Sequence, residues 1–112
     1  MSVPLYQAKA EFFKTLGHPA RIRILELLSE RDYAVHELLE QIAIEPSNLS
    51  QQLAVLRRAG LVATRKEGST VFYAVRDPEL LELLVVAKRL LINSLVESQG
   101  VLDQLRVAVG DR

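Results

Sequence analysis

Residues 46–76, PSNLSQQLAVLRRAGLVATRKEGSTVFYAVR, decide the fold. Leu49, Leu53 and Leu56 follow the i, i+4, i+7 spacing that predicts the core-facing stripe of a helix. Pro46 suits the first position of that helix, and Gly60 suits the left-handed position just past its end. Ser47, Gln51 and Arg58 fall on the opposite face, with Asn48 beside them. These side chains can hydrogen-bond to base edges and phosphates. The runs 61–66 and 71–75 have β character and are joined by Glu67-Gly68-Ser69-Thr70, a hairpin signal. The stretch carries Arg57, Arg58, Arg65, Lys66 and Arg76 against Glu67 alone, so positive charge is concentrated here.

Upstream lie three more helical patterns. Leu5, Ala8, Phe12, Phe13 and Leu16 predict a helix over 4–16 that Gly17 ends. Pro19 then opens a second helix to about residue 30, with Ala20, Ile24, Leu25, Leu27 and Leu28 inward. A turn at 31–32 precedes a short third helix over 35–42, with Leu38, Leu39 and Ile42 inward. Downstream, Asp77 can cap a helix that Pro78 begins and that runs to about residue 107, with a disturbance expected near Gly100. The class is mainly α with a small β-hairpin (α+β), in the order α-α-α-α-β-β-α. Two short helices joined by the tight turn 43–46, followed at once by a hairpin, form a winged helix-turn-helix. In that geometry helix 46–59 enters the major groove, N-terminal residues first, and the wing, residues 61–76, lies on the backbone or minor groove.

The 112 residues are read as one domain, 1–112, and 49% of them are hydrophobic, enough for a packed core. The chain carries 14 Lys and Arg against 14 Asp and Glu, which argues against a general polyanion binder but leaves room for a local patch. It has no cysteine, which removes disulfides, thiolate metal sites and thiol redox switches. The N-terminus shows no basic region leading into an apolar run, and the apolar stretch 80–96 is interrupted by Glu82, Lys88, Arg89 and Asn93. The expectation is a soluble, cytoplasmic protein with no membrane partner. Glycines 17, 60, 68, 100 and 110 are isolated, so there is no phosphate-binding loop. No nucleophile elbow or convincing acid–base pair is present either, and no enzyme is expected.

The chain resembles the ArsR/SmtB family of bacterial winged-helix repressors over residues 8–97. Four segments carry the resemblance: FFKTLGHPARIRILELL, VHELLEQIAIEPSNLSQQLAVLRRAGLV, TRKEGSTVFYAV and the long closing helix. The specific element is L-S-x-x-L-x-x-L-R-x-A-G-L-V followed by a basic hairpin containing Tyr73. The resemblance implies a homodimer that binds operator DNA and releases it when an effector binds, with the first and last helices at the dimer interface. It also implies differences. Ala43 stands where the family often has Gly, Glu45 where it often has Ser, Gln52 where it often has His, and Ser69 and Thr70 where basic residues are common. Ala34 and His36 occupy the positions of the Cys-x-Cys of arsenic-sensing members, and the last helix has no histidine for a zinc- or nickel-type site. The DNA-binding role therefore transfers and the metal role does not; the effector stays open.

The expected DNA contacts are Ser47, Asn48, Ser50, Gln51 and Gln52 on the helix, and Arg65, Lys66, Ser69 and Thr70 on the wing. Ser47 and Ser50 suit phosphates, while Asn48 and Gln51 suit base edges. An ordinary solvated helix face, or charge that merely solubilises, is the plainer reading of the same residues. Arg57 is expected to pair with a carboxylate. His18 is expected to cap or pack; His36 and Glu40 lie one turn apart, but two ligands do not make a metal site. No metal or other cofactor is expected. Leu84, Ala87, Leu91 and Leu95, together with Leu5, Phe12 and Phe13, give the terminal helices more apolar surface than one subunit can cover, so they are expected at a homodimer interface. The partner is double-stranded operator DNA, the output repression. The rival reading, a winged-helix module for protein contact alone, has no need of a polar helix face beside a basic wing.

Overall fold

The computed structural model describes residues 2–110. Its elements are α1 (Leu5–Leu16), α2 (Pro19–Leu28), β1 (Tyr33–Ala34), α3 (Val35–Gln41), α4 (Pro46–Arg58), β2 (Val62–Glu67), β3 (Thr70–Val75) and α5 (Pro78–Gly110). They form a winged helix-turn-helix, mostly helical, with one small antiparallel sheet. The chain divides into two units, a winged-helix unit up to Leu81 and a helical unit from Glu82. No helix among the described residues is long and apolar enough to cross a membrane.

The core of the first unit is aliphatic. Ile24, Leu25, Leu38, Leu49, Leu53 and Leu56 are fully buried, drawn from α2, α3 and α4. α2 packs on α1 and α4, and α3 packs on α4, so the apolar stripes of the three central helices meet. Full burial of a Leu or Ile side chain contributes about 1.5–3 kcal/mol each. The leucine spacing of α4 is therefore what docks this helix and turns its other face outward.

The ends of the elements follow from local chemistry. His18 caps α2 by accepting at Nδ1 from the Ala20 N–H at 3.2 Å, with Pro19 at the first helical position. Gly60 has φ +76°. Its N–H bonds the Arg57 carbonyl and the Leu61 N–H bonds the Leu56 carbonyl, both at 3.0 Å, the Schellman arrangement that ends a helix sharply. Asp77 Oδ1 accepts from the Glu79 N–H at 3.0 Å and caps α5. Glu37 Oε1 accepts from the Ala34 N–H at 2.9 Å and closes the start of α3.

Beyond shifts of a single residue at element ends, four features differ from the sequence reading. The hairpin strands extend to Glu67 and Thr70, which pair across a two-residue turn, Gly68-Ser69. Gly68 takes φ +61°, the conformation such a tight turn needs. The second helix stops at Leu28, two residues early, where Ser29 caps it. The last helix runs unbroken through Gly100 to Gly110. The fourth difference is an added strand: β1 pairs with β3 (Tyr33 with Tyr73, Ala34 with Phe72), giving the sheet order β1-β3-β2. Two buried residues have no periodicity to detect; the pairing depends on a distant partner strand.

Candidate nucleic-acid interface

The leucine stripe of α4 faces inward, so the geometry of its outer face is fixed by helical periodicity. Ser47, Ser50, Gln51, Ala54, Arg57 and Arg58 are exposed, and Asn48 is half-buried at the margin. Pro46 and Ser47 are the first two helical residues, so Ser47, Asn48, Ser50 and Gln51 gather at the end of α4 that carries free N–H groups and the positive end of the helix dipole. Glu45 precedes the helix in extended conformation and makes no side-chain cap, leaving those N–H groups open.

Gln52 departs from its expected role. It is 7% exposed and is the one buried polar side chain in the described core. Arg21 Nε donates to Gln52 Oε1 at 2.7 Å, and Gln52 Nε2 donates to Asn48 Oδ1 at 2.9 Å. Arg21 Nη1 also donates to the Thr15 carbonyl at 3.1 Å. Gln52 thus ties α4 to α2 and, through Arg21, to the end of α1. It points inward, because the helix groups it with Leu49, Leu53 and Leu56 rather than with Gln51. Where the sequence reading expects a DNA contact, the Gln52 amide is buried and hydrogen-bonded at both its oxygen and its nitrogen. The sequence holds no signal for Arg21, since nothing local separates it from Arg23 on the same helix and its contact with Gln52 spans 31 residues.

The wing is also more constrained than its charge suggests. Arg65 Nε donates to Asp32 Oδ2 at 3.1 Å, its Nη1 pairs with Glu67, and its guanidinium lies 4.6 Å from the centre of the Phe72 ring. Arg65 is neither idle surface charge nor an open phosphate ligand. Lys66 is exposed and has no ion pair among the described residues. Ser69 is exposed at the turn and Thr70 is half-buried beside it. Both border an open cleft with Ala34, Val35, His36 and Leu39. Arg57, expected to pair with a carboxylate, is instead exposed without an ion pair among the described residues; α4 carries no acidic residue of its own to meet it. Arg31 is held by Glu37 at 3.2 Å and stacks 3.8 Å from the Tyr33 ring centre. The Ala34 N–H bond, helped by Arg31, holds the Glu37 carboxyl below its ordinary value and outweighs the opposing cost of desolvation. No group of three His, Cys, Asp or Glu side chains comes together among the described residues.

Residues 18–64, which span α2, α3, α4 and the start of the wing, match the model of bacterial regulatory proteins of the arsR family. The HTH-type transcriptional regulator Rv0081 of Mycobacterium tuberculosis is 58% identical over 106 residues, covering 94% of this chain and 93% of the relative. The chain belongs to the ArsR family. The crystal structure of Rv0081 superposes with a TM-score of 0.80 over 86% of this chain and 97% of that one, at 59% identity. Another relative, the biofilm growth-associated repressor of Xylella fastidiosa, is 40% identical over 75 residues, 67% of this chain and 66% of its own. The homodimeric winged helix-turn-helix DNA-binding domain (fragment 1–100) of Mb0332 from Mycobacterium bovis superposes with a TM-score of 0.73 at 25% identity, covering 81% of this chain and 84% of that one. This ArsR-family chain is accordingly a helix-turn-helix transcriptional regulator, a class whose work is DNA binding rather than catalysis.

Proposed function

We propose that this protein is a sequence-specific DNA-binding repressor of transcription that acts in the cytoplasm as a homodimer on an inverted-repeat operator. The observation that carries the reading is the exposed cluster of Ser47, Ser50 and Gln51 at the N-terminal end of α4, with the Lys66 wing following it in the same unit. Gln51 reads base edges; Ser47 and Ser50 bond phosphates; Lys66, Ser69 and Thr70 follow the backbone beside the groove. Repression is supported by the name of the Xylella fastidiosa relative, and the physical means is simple occupancy of promoter DNA.

The dimer reading rests on exposed apolar surface. Leu5 and Phe13 on α1 are 70% and 56% exposed, and Leu91 and Leu95 on α5 are 66% and 69% exposed. Phe12 is half-buried and packs edge-on to Phe13 at 5.4 Å. Leu84 is half-buried and Ala87 exposed on the same α5 stripe. A soluble monomer rarely leaves so much apolar surface in water. The homodimeric state of the Mb0332 domain supports the same conclusion. The terminal helices α1 and α5 then supply the interface of one winged-helix domain per subunit.

The test is a titration of a fluorescent duplex selected from the source genome against a scrambled duplex of equal length. Wild-type protein should discriminate between them, and Gln51→Ala should lose about 1–3 kcal/mol of that discrimination while keeping its affinity for scrambled DNA. Equal affinity of the wild type for both duplexes would leave the protein-contact module as the better reading. A promoter fusion carrying the same duplex should fall in output when the protein is expressed; a rise would make it an activator.

A further inference from the structure

The part-buried chain Arg21–Gln52–Asn48 has a direction. An arginine side chain only donates hydrogen bonds. Arg21 Nε points at Gln52 at 2.7 Å, so the atom it meets must be the amide oxygen, which leaves the Gln52 Nε2 group facing Asn48 at 2.9 Å. That nitrogen also only donates, so Asn48 must turn its Oδ1 inward. The orientation of both amides, ordinarily ambiguous between O and N, is set by one arginine. Asn48 Nδ2 has no partner among the described residues, and no side-chain polar atom is left buried without one, so Nδ2 faces solvent. It does so as the third residue of α4, in the first turn of the helix.

We infer that Arg21, acting through Gln52, fixes Asn48 as a hydrogen-bond donor toward DNA, so that Asn48 selects a base with an oxygen acceptor, guanine or thymine, at one position of each half-site. An unrestrained asparagine would present oxygen and nitrogen together and favour adenine, which offers a donor and an acceptor side by side. Here the oxygen edge is turned away. Guanine offers Nδ2 two acceptors, O6 and N7, and thymine offers O4; adenine offers only N7, beside an N6 amine that opposes Nδ2, and cytosine offers only its amine. Arg21 and Gln52 are positioning residues, since neither reaches the groove, and Asn48 is the residue that reads. The inference rests on α4 being the DNA-reading helix.

Gln52→Glu tests it by reversing the polarity. A carboxylate still accepts from Arg21, but it offers Asn48 a second acceptor instead of a donor. Two facing oxygens repel, so the Asn48 amide turns over, donates from Nδ2 to the new carboxylate and presents Oδ1 outward. Selection from a randomised duplex library, read by sequencing, should show the wild type enriching guanine or thymine at one position per half-site. Gln52→Glu should move that position to cytosine or adenine, with a swing of about tenfold in relative affinity, and leave the other positions unchanged. Asn48→Asp, which can only accept, should shift the same position in the same direction without touching the core, so the test survives if Gln52→Glu fails to fold. Asn48→Ala should flatten the preference there. If the wild type enriches a motif and Asn48→Asp leaves every position unchanged, the inference is overturned while the DNA-binding reading stands. If the wild type enriches no motif, both fall.

Discussion

Arg65 shows how little a residue's charge says about what it can bind. Its guanidinium is already shared between Asp32 and Glu67 and rests on the Phe72 ring. Each exposed pair contributes only about 0–1 kcal/mol to stability, but a phosphate approaching Arg65 must displace one carboxylate and face the other. Lys66, the next residue along the strand, carries no such burden. Lys66→Ala should therefore lower the slope of log Kobs against log salt by about 0.9 per subunit, and Arg65→Ala by clearly less. Glu67→Gln should release Arg65 and steepen the slope. Salt titrations of the four proteins decide this, and an equal fall for Arg65→Ala and Lys66→Ala would remove the distinction. Glu37 gives a second test at this scale. Its carboxyl is held below the ordinary 4.5, first by the Ala34 N–H and then by Arg31. A depressed folded-state value stabilises the fold above the unfolded-state value and loses that stabilisation as pH falls through the depressed one. Glu37→Gln should accordingly be less stable than the wild type at neutral pH, with the gap closing in acid; denaturant midpoints across that range check it.

At the scale of elements, what could be read in the sequence is what is local. The α4 stripe of Leu49, Leu53 and Leu56, the Gly60 terminator and the Asp77 cap all depend on residues within a turn or two of one another, and the structure holds each as expected. β1 and the Arg21–Gln52 bond depend on neighbours far along the chain, and no periodicity announces them. Gln52 escapes the sequence reading for the same reason: its type suits a DNA face, and only the packing of α2 on α4 shows that a cation waits behind it. Two glycines separate backbone need from accident. Gly60 sits at φ +76° with its nearest potential neighbour, Arg76, 3.7 Å from where a Cβ would be, so space is available and the conformation is the obstacle. Gly60→Ala should cost about 1–2 kcal/mol. Gly100 lies inside α5 with nothing within 4 Å of that point. Gly100→Ala should stabilise by about 0.5–1 kcal/mol. Opposite shifts in thermal midpoint check both, and a loss of stability on Gly100→Ala would mean that position meets something the isolated chain does not contain.

At the scale of the whole molecule, the winged-helix unit has an aliphatic core of its own, while the helix beyond Glu82 is apolar on most of its surface and wholly exposed from Val85 onward as far as Val107. A second subunit is the simplest cover for it. Leu91→Glu with Leu95→Glu changes only side chains that are exposed in one chain, so it should leave the helix-turn-helix folded and yield a monomer by sedimentation, with operator affinity down at least about tenfold because each half-site is then bound alone. An unchanged sedimentation coefficient would place the interface elsewhere. The neutral charge of the chain, 14 against 14, also means that affinity for random DNA should be weak and specificity should come from the α4 face.

The most direct test of the account is selection of bound fragments from the source genome by the full chain, followed by sequencing. The expected result is an inverted repeat with half-site centres about 10–10.5 base pairs apart, or a multiple of that spacing, lost when Gln51 and Asn48 are both replaced by Ala. Fragments bound without a shared motif, or a motif that survives the double replacement, would contradict it.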